Sequence, residues 1–267
     1  MTDFLDVAPG VIVAASRRES TNSVILCSVA EAMLVDPAWE PDELADIAAE
    51  LEFRGLRVSG GFATHAHHDH VLWHPGFGDA PRFGSEHTVR LAAEHRAEML
   101  AALGEGFVGT ELGELVGRLQ EPPRSPTDRS RIWMPHGTVP AGFDPQFIIH
   151  HGHCPGHTAI WLPAQRVLIA GDMLSDRELP LPYTAGNLAA YSAGLDALRP
   201  FVEQADVLIP GHGSVAFGAD ASFARWEADR RYIDRVSAGT VVVDDRLSNE
   251  GMREAHSALL ADIAGNT

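Results

Sequence analysis

"THAHHDH", Thr64 to His70, places four histidines and one aspartate in seven positions. The stretch follows "RVSGGFA" (57–63), whose β-branched and aromatic residues read as a strand running into the cluster, over 57–65. Side chains alternate along an extended chain, so His65 and His67 point one way. Asp69 and His70 come next, where the chain turns, and point elsewhere. One turn then offers ligands to two adjacent metal positions, and each is incomplete. A lone histidine is more often a satisfied core or surface residue; five potential donors in one turn are not explained that way.

A catalytic zinc site commonly takes three protein ligands and keeps one position open. The cluster therefore predicts further ligands downstream, at strand ends. "CPGHT" sets His157 before a strand at 158–163, "AGD" sets Asp172 after a strand at 166–170, and "PGHG" sets His212 after a strand at 207–209. Each lies beside glycine, where the backbone bends tightly.

The chain around these motifs alternates strands and helices. Gly10–Ser16, Ser23–Val29 and Ala32–Pro37 read as antiparallel strands. "EPDELADIAAELEFRG" (Glu40–Gly55) reads as a helix with Leu44, Ile47, Ala48 and Leu51 on one face. Helices are expected at Ser85–Leu103, with Ser85 as N-cap, and at Glu111–Leu119. A Pro-rich loop spans Gln120–Ser130. Strands are expected at Phe147–Cys154, Thr158–Pro163, Arg166–Asp172 and Asp206–Gly213, and helices at Asn187–Gln204, Asp220–Ala238 and Asn249–Ala264. These elements predict one α/β domain over residues 1–267, with a helical insertion at about 85–135 and C-terminal helices at about 220–264. The insertion either covers a cleft, offering Met99, Leu100, Leu103 and Phe107 to an apolar substrate, or packs on an outer sheet face.

The four motifs, in this order, resemble those of the metallo-β-lactamase-fold metallohydrolases over about residues 10–215. That resemblance implies an αβ/βα four-layer sandwich with a metal pair in the cleft between the sheets. By position, His65, His67 and His157 would bind the first metal. Asp69, His70 and His212 would bind the second, and Asp172 would bridge them. His68 has no ligand role in this pattern. Members that reduce oxygen or nitric oxide at two irons carry Glu where this chain has His67, so two Zn²⁺ are expected, with iron, manganese or nickel as alternatives. Such metals activate a water to attack the carbonyl of a small-molecule ester, thioester, lactone or lactam, and Asp69 would orient that water or shuttle its proton. The other classes implied are a mononuclear iron persulfide dioxygenase and a non-catalytic metal-binding protein. In "MLSDRELPLPYTAGN" (173–187), Arg177 and Tyr183 are candidates to meet a carboxylate and an oxyanion.

The 267 residues carry a formal charge of −17, which disfavours a nucleic-acid partner. No apolar run approaches the ~20 residues that cross a bilayer. "MTDFLDVAPG" lacks the basic-then-apolar pattern of a signal peptide, so a cytoplasmic protein is expected. Two cysteines, Cys27 and Cys154, permit at most one disulfide. The sequence assigns no oligomeric state.

Overall fold

A computed structural model describes residues 2–123 and 132–265. Most of the Pro-rich loop, residues 124–131, lies outside the described residues. The chain divides into two compact units, Met1–Phe147 with Leu162–Gln165, and Ile148–Trp161 with Arg166–Thr267.

The first unit is built on a six-stranded sheet of β1 (Phe4–Ala8), β2 (Val11–Ala15), β3 (Asn22–Ser28), β4 (Glu31–Val35), β5 (Arg57–Phe62) and β6 (Arg82–Phe83), in that order across the sheet. The pairs β2–β3 and β3–β4 are antiparallel, as the short β-branched runs predict. Helix α1 (Pro41–Phe53) then crosses over, so β5 returns parallel to β4 with Val35 opposite Phe62. Leu44, Ile47 and Leu51 are the buried face of α1. They pack with Trp39, Trp73 and Phe77 in one apolar core.

The expected helix at 85–103 is two helices, α2 (Glu86–Glu94) and α3 (Arg96–Leu103). They break at His95, whose φ of −101° and ψ of 14° leave the helical region. Ser85 does cap α2, accepting from the Thr88 N–H at 3.2 Å. A short helix α4 (Glu111–Leu115) ends four residues earlier than expected, at Val116 with ψ 130°. Met99, Leu103 and Phe107 are buried in the unit's own apolar core, with Leu100 packed against it. Packing, rather than exposure to a substrate, accounts for these four side chains.

The second unit carries a five-stranded sheet in the order β11-β10-β9-β8-β7. These strands are β7 (Gln146–Ile149), β8 (Thr158–Leu162), β9 (Val167–Gly171), β10 (Val207–Pro210) and β11 (Ala216–Phe217). Helix α5 (Leu188–Val202) comes after β9, while α6 (Ala219–Ser237) and α7 (Glu250–Gly265) come after β11. Leu195 and Leu198 of α5, Trp226, Ile233 and Val236 of α6, and Leu259 of α7 share a core with Leu168, Ala170 and Leu208. The parallel pair β9–β10 has Ile169 opposite Ile209. Each unit thus joins a mixed sheet to helices, an α/β fold. Strands β1, β6 and β11 have no clear sequence signal, because two are only two residues long and the third has no fully buried residue. Among the described residues no helix is long and apolar enough to cross a membrane.

Candidate metal centre

Strand β5 ends at Phe62, three residues before the expected end, and residues 64–70 are an irregular loop. The parallel register of β5 with β4 decides which side chain supports that loop. The Asp36 N–H donates to the Phe62 carbonyl at 3.1 Å, which sets Asp36 beside the start of the histidine loop. Asp36 is 2% exposed. Its Oδ1 accepts the Thr64 N–H at 2.8 Å, and its Oδ2 accepts the Thr64 hydroxyl at 2.6 Å. The same Oδ2 lies 2.9 Å from His70 Nδ1.

These bonds decide where the histidine protons sit. A carboxylate only accepts, so His70 holds its proton on Nδ1. Thr64 gives its own proton to Asp36, so its oxygen accepts from His65 Nδ1 at 3.0 Å. Each ring thus has its Nδ1 held by a protein group, the arrangement that orients a metal-binding imidazole. His65 and His70 are almost wholly buried, and their rings are 4.2 Å apart. The His67 ring meets that of His65 at 4.5 Å. Asp69 is buried, with Oδ2 3.2 Å from His70 Nε2. His65, His67, Asp69 and His70 therefore converge within this unit. His68 turns its ring against Trp39 at 5.0 Å, and burial lowers its pKa.

Asp36 and Thr64 were not singled out by sequence reading. The available signal was an acid directly after the apolar run "AMLV", where a buried charge requires partners.

In the second unit, parallel β9 and β10 end side by side, which brings Asp172 and His212 together. His212 Nε2 is 3.5 Å from Asp172 Oδ2, and the Asp172 side chain is 4% exposed. Gly211 permits this approach, because a Cβ there would lie 1.9 Å from Asp172 Oδ1. The Ser175 hydroxyl donates to the His212 carbonyl at 2.7 Å. The loop after Asp172 is pinned from outside the sheet: the Leu174 N–H donates to Asp229 at 2.9 Å, and Arg246 Nη1 donates to Asp229 and to the carbonyls of Ser175 and Glu178. Leu174 itself has φ 63°, a conformation that L side chains rarely adopt.

Strand β7 stops at Ile149 rather than at Cys154, because the His150 N–H bonds to the His157 carbonyl at 2.8 Å and closes residues 150–157 into a loop. This loop separates two histidines by role. His157, fully buried, has Nδ1 3.1 Å from His150 Nε2, and its Nε2 accepts the Asp172 backbone N–H at 3.1 Å. Both of its ring nitrogens are engaged with protein groups. His150 is held neutral, its pKa pushed down to about 4 by burial and then by neighbouring His151. His153 has Nδ1 3.1 Å from the Leu181 carbonyl. A carbonyl only accepts, so Nδ1 carries the proton, and Nε2 lies 3.5 Å from Asp172 Oδ2. The motif order drew attention to His157; His153, four residues earlier, also has a partnered Nδ1 and an Nε2 near Asp172. The signal was present in "HGHCPGHT", which holds two Gly-His pairs.

Arg177 and Tyr183 are exposed on the segment after Asp172. Both cysteines are free thiols.

Imidazoles with partnered Nδ1 atoms, together with buried carboxylates, are a donor set that suits zinc and related divalent ions. Residues 16–225 match the family described as the Metallo-beta-lactamase superfamily. Among solved structures, the chain is similar to the stereoselective inverting sec-alkylsulfatase Pisa1 from Pseudomonas sp., with TM-score 0.64 and 17% identity over 90% of this chain and 42% of that one. It therefore spans less than half of that enzyme. A beta-lactamase domain protein from Burkholderia ambifaria gives TM-score 0.62 and 20% identity, covering 88% of this chain and 78% of that one. A metallo-beta-lactamase from Pontibacter korlensis gives TM-score 0.57 and 16% identity, covering 85% and 99%. These likenesses show the fold.

Proposed function

The chain belongs to the metallo-beta-lactamase superfamily, and from that premise we propose that it is a metal-dependent hydrolase of a small molecule, using two Zn²⁺. His65, His67, Asp69, His70, Asp172 and His212 would hold the metals, with His153 taking the part that the motif spacing suggested for His157. The observation that carries this reading is the set of partners on the histidine Nδ1 atoms. Asp36, Thr64 and the Leu181 carbonyl partner Nδ1 of His70, His65 and His153, and a partner on that nitrogen orients the ring of a metal-binding histidine.

Bound metals would supply an acidified water and a Lewis acid for a carbonyl oxygen. The chain's own residues do the rest. Asp69, buried and within 3.5 Å of the Thr21 hydroxyl, orients the attacking water and takes its proton on a carboxylate oxygen. The pinned loop from Leu174 to Glu178 fixes the direction of Asp172. Arg177 stands within this loop and Tyr183 after it, where they would meet a carboxylate or oxyanion of the substrate.

The charge of −17 supports a small-molecule substrate over a nucleic acid.

The test is a panel assay on zinc-loaded protein with metal content measured. Esters, thioesters, lactones and lactams are included, and a secondary alkyl sulfate because a similar structure is named for that activity. Turnover of one class, lost on chelation and restored by zinc, is expected. No turnover at full metal occupancy would sink the hydrolase reading. Sulfite formation from a persulfide by iron-loaded protein would replace it with the dioxygenase.

A further inference from the structure

His212 has a carboxylate on each side of its ring, both within the second unit. Nε2 lies 3.5 Å from Asp172 Oδ2, and Nδ1 lies 3.9 Å from Glu178 Oε1. The His212 side chain is 4% exposed and that of Glu178 is 24% exposed. No sequence motif singles out Glu178. Its place beside Nδ1 resembles that of Asp36 beside His70, which meets the ring at 2.9 Å. The Glu178 distance is longer than a direct hydrogen bond, so this carboxylate acts through its charge and through a bridging water.

The separation is set by the backbone rather than by two mobile side chains. The Ser175 hydroxyl oxygen accepts the N–H groups of Arg177 and Glu178, each at 3.0 Å, and donates to the His212 carbonyl at 2.7 Å. Arg246 Nη1 donates to the Glu178 carbonyl at 2.9 Å. Both backbone groups of Glu178 are therefore held. The His212 turn is gripped a second time, where Asp176 Oδ1 accepts the Ser214 N–H at 2.9 Å. Between those two points Gly213 has φ 99°, and a Cβ there would lie 2.2 Å from Asp176 Oδ1 and 3.3 Å from Ser175 Oγ. Loop and turn thus meet at the closest approach that a glycine permits.

We propose that Glu178 is the positioning residue of His212, holding the imidazole from its Nδ1 side so that Nε2, the nitrogen beside Asp172, is the one that binds metal. The assignment rests on the two-metal function proposed for this chain. A neutral imidazole has one proton, so a ring that gives Nε2 to a metal carries that proton on Nδ1, facing Glu178. A carboxylate there fixes the ring's orientation and raises its basicity as a ligand.

Zinc is the probe, and the whole protein is used. Chelator competition on the wild type should resolve two zinc ions. Glu178→Ala should weaken one of them by about 10–100-fold and leave the other unchanged. Glu178→Gln, which keeps a neutral acceptor oxygen, should recover part of that loss. In NMR spectra of the zinc-loaded protein, the His212 Nδ1–H signal should move upfield in Glu178→Gln, because a charge-assisted contact becomes a neutral one. Thermal unfolding of the metal-free variants should match that of the wild type. Full zinc affinity in Glu178→Ala overturns the proposal, as does equal weakening of both ions or a loss that follows lower metal-free stability. Complete loss of one zinc from Glu178→Gln overturns it too, by making Glu178 a ligand itself. A wild type that takes up no zinc removes the proposed function and this role together, whereas two zinc ions held equally well by wild type and Glu178→Ala remove only this role.

Discussion

Asp36 holds His70 across the β4–β5 register, with Oδ2 2.9 Å from Nδ1, and the same oxygen receives the Thr64 hydroxyl at 2.6 Å. One buried carboxylate thereby fixes two imidazoles, His70 directly and His65 through Thr64. Asp36→Asn keeps the volume but gives the site an amide that can present N–H groups where only acceptors work. We expect metal affinity to fall by about 10–100-fold, the usual cost of losing such a partner. Chelator competition on the purified variant measures it. Unchanged affinity and stoichiometry would show that Asp36 serves the fold alone.

His153 and His157 of the 150–157 loop give opposite expectations. His153→Ala should lower bound metal and leave unfolding nearly unchanged. His157→Ala should leave the buried Asp172 N–H and His150 Nε2 without partners, costing about 1–3 kcal/mol per unsatisfied group. Metal analysis beside urea unfolding separates the two. If His157→Ala instead removes a metal from a protein of normal stability, the assignment reverts to the spacing-based one.

The strand runs, the α1 face and the His and Asp candidates at strand ends were legible because they rest on local patterns. Period-2 and period-3.6 runs marked the sheets and helices, and glycine beside His or Asp marked the strand ends. What was not legible depends on register between distant strands. Asp36 is 28 residues from Thr64 and 34 from His70, and only the parallel pairing of β4 with β5 joins them. His153 and His157 sit in equivalent-looking Gly-His pairs, and only the groups around their two ring nitrogens distinguish them. Met99, Leu103 and Phe107 were ambiguous for a related reason: an apolar helix face reads the same whether a core or a ligand covers it.

Arg246 reaches from beyond α6 to hold the loop after Asp172. Burial alone would raise the pKa of Asp229, and the guanidinium opposes this. Arg246→Met removes the partner and leaves the Asp229 carboxylate buried, a change expected to cost about 3–5 kcal/mol. The double variant Asp229→Asn with Arg246→Met should recover part of that loss, because the stranded charge is gone. Denaturant unfolding of the three variants closes the cycle. Purely additive losses would mean that the pair does not act as a unit.

Gly211 tests the meeting of β9 and β10 at the site. Its φ is not in the left-handed region, so alanine is acceptable to the backbone itself. The obstacle is space, since a new Cβ would sit 1.9 Å from Asp172 Oδ1 and 3.0 Å from the Gly171 carbonyl carbon. Either the Asp172 carboxylate rotates away from His153 and His212, or the Gly211 N–H loses its 2.6 Å bond to the Gly171 carbonyl. In both cases Gly211→Ala should lose metal affinity by about tenfold or more, as misplaced ligands do, with a stability loss of about 1–3 kcal/mol from overpacking. Isothermal metal titration with thermal unfolding reads both. Full metal affinity in Gly211→Ala would mean that Asp172 is not held as a ligand by this turn.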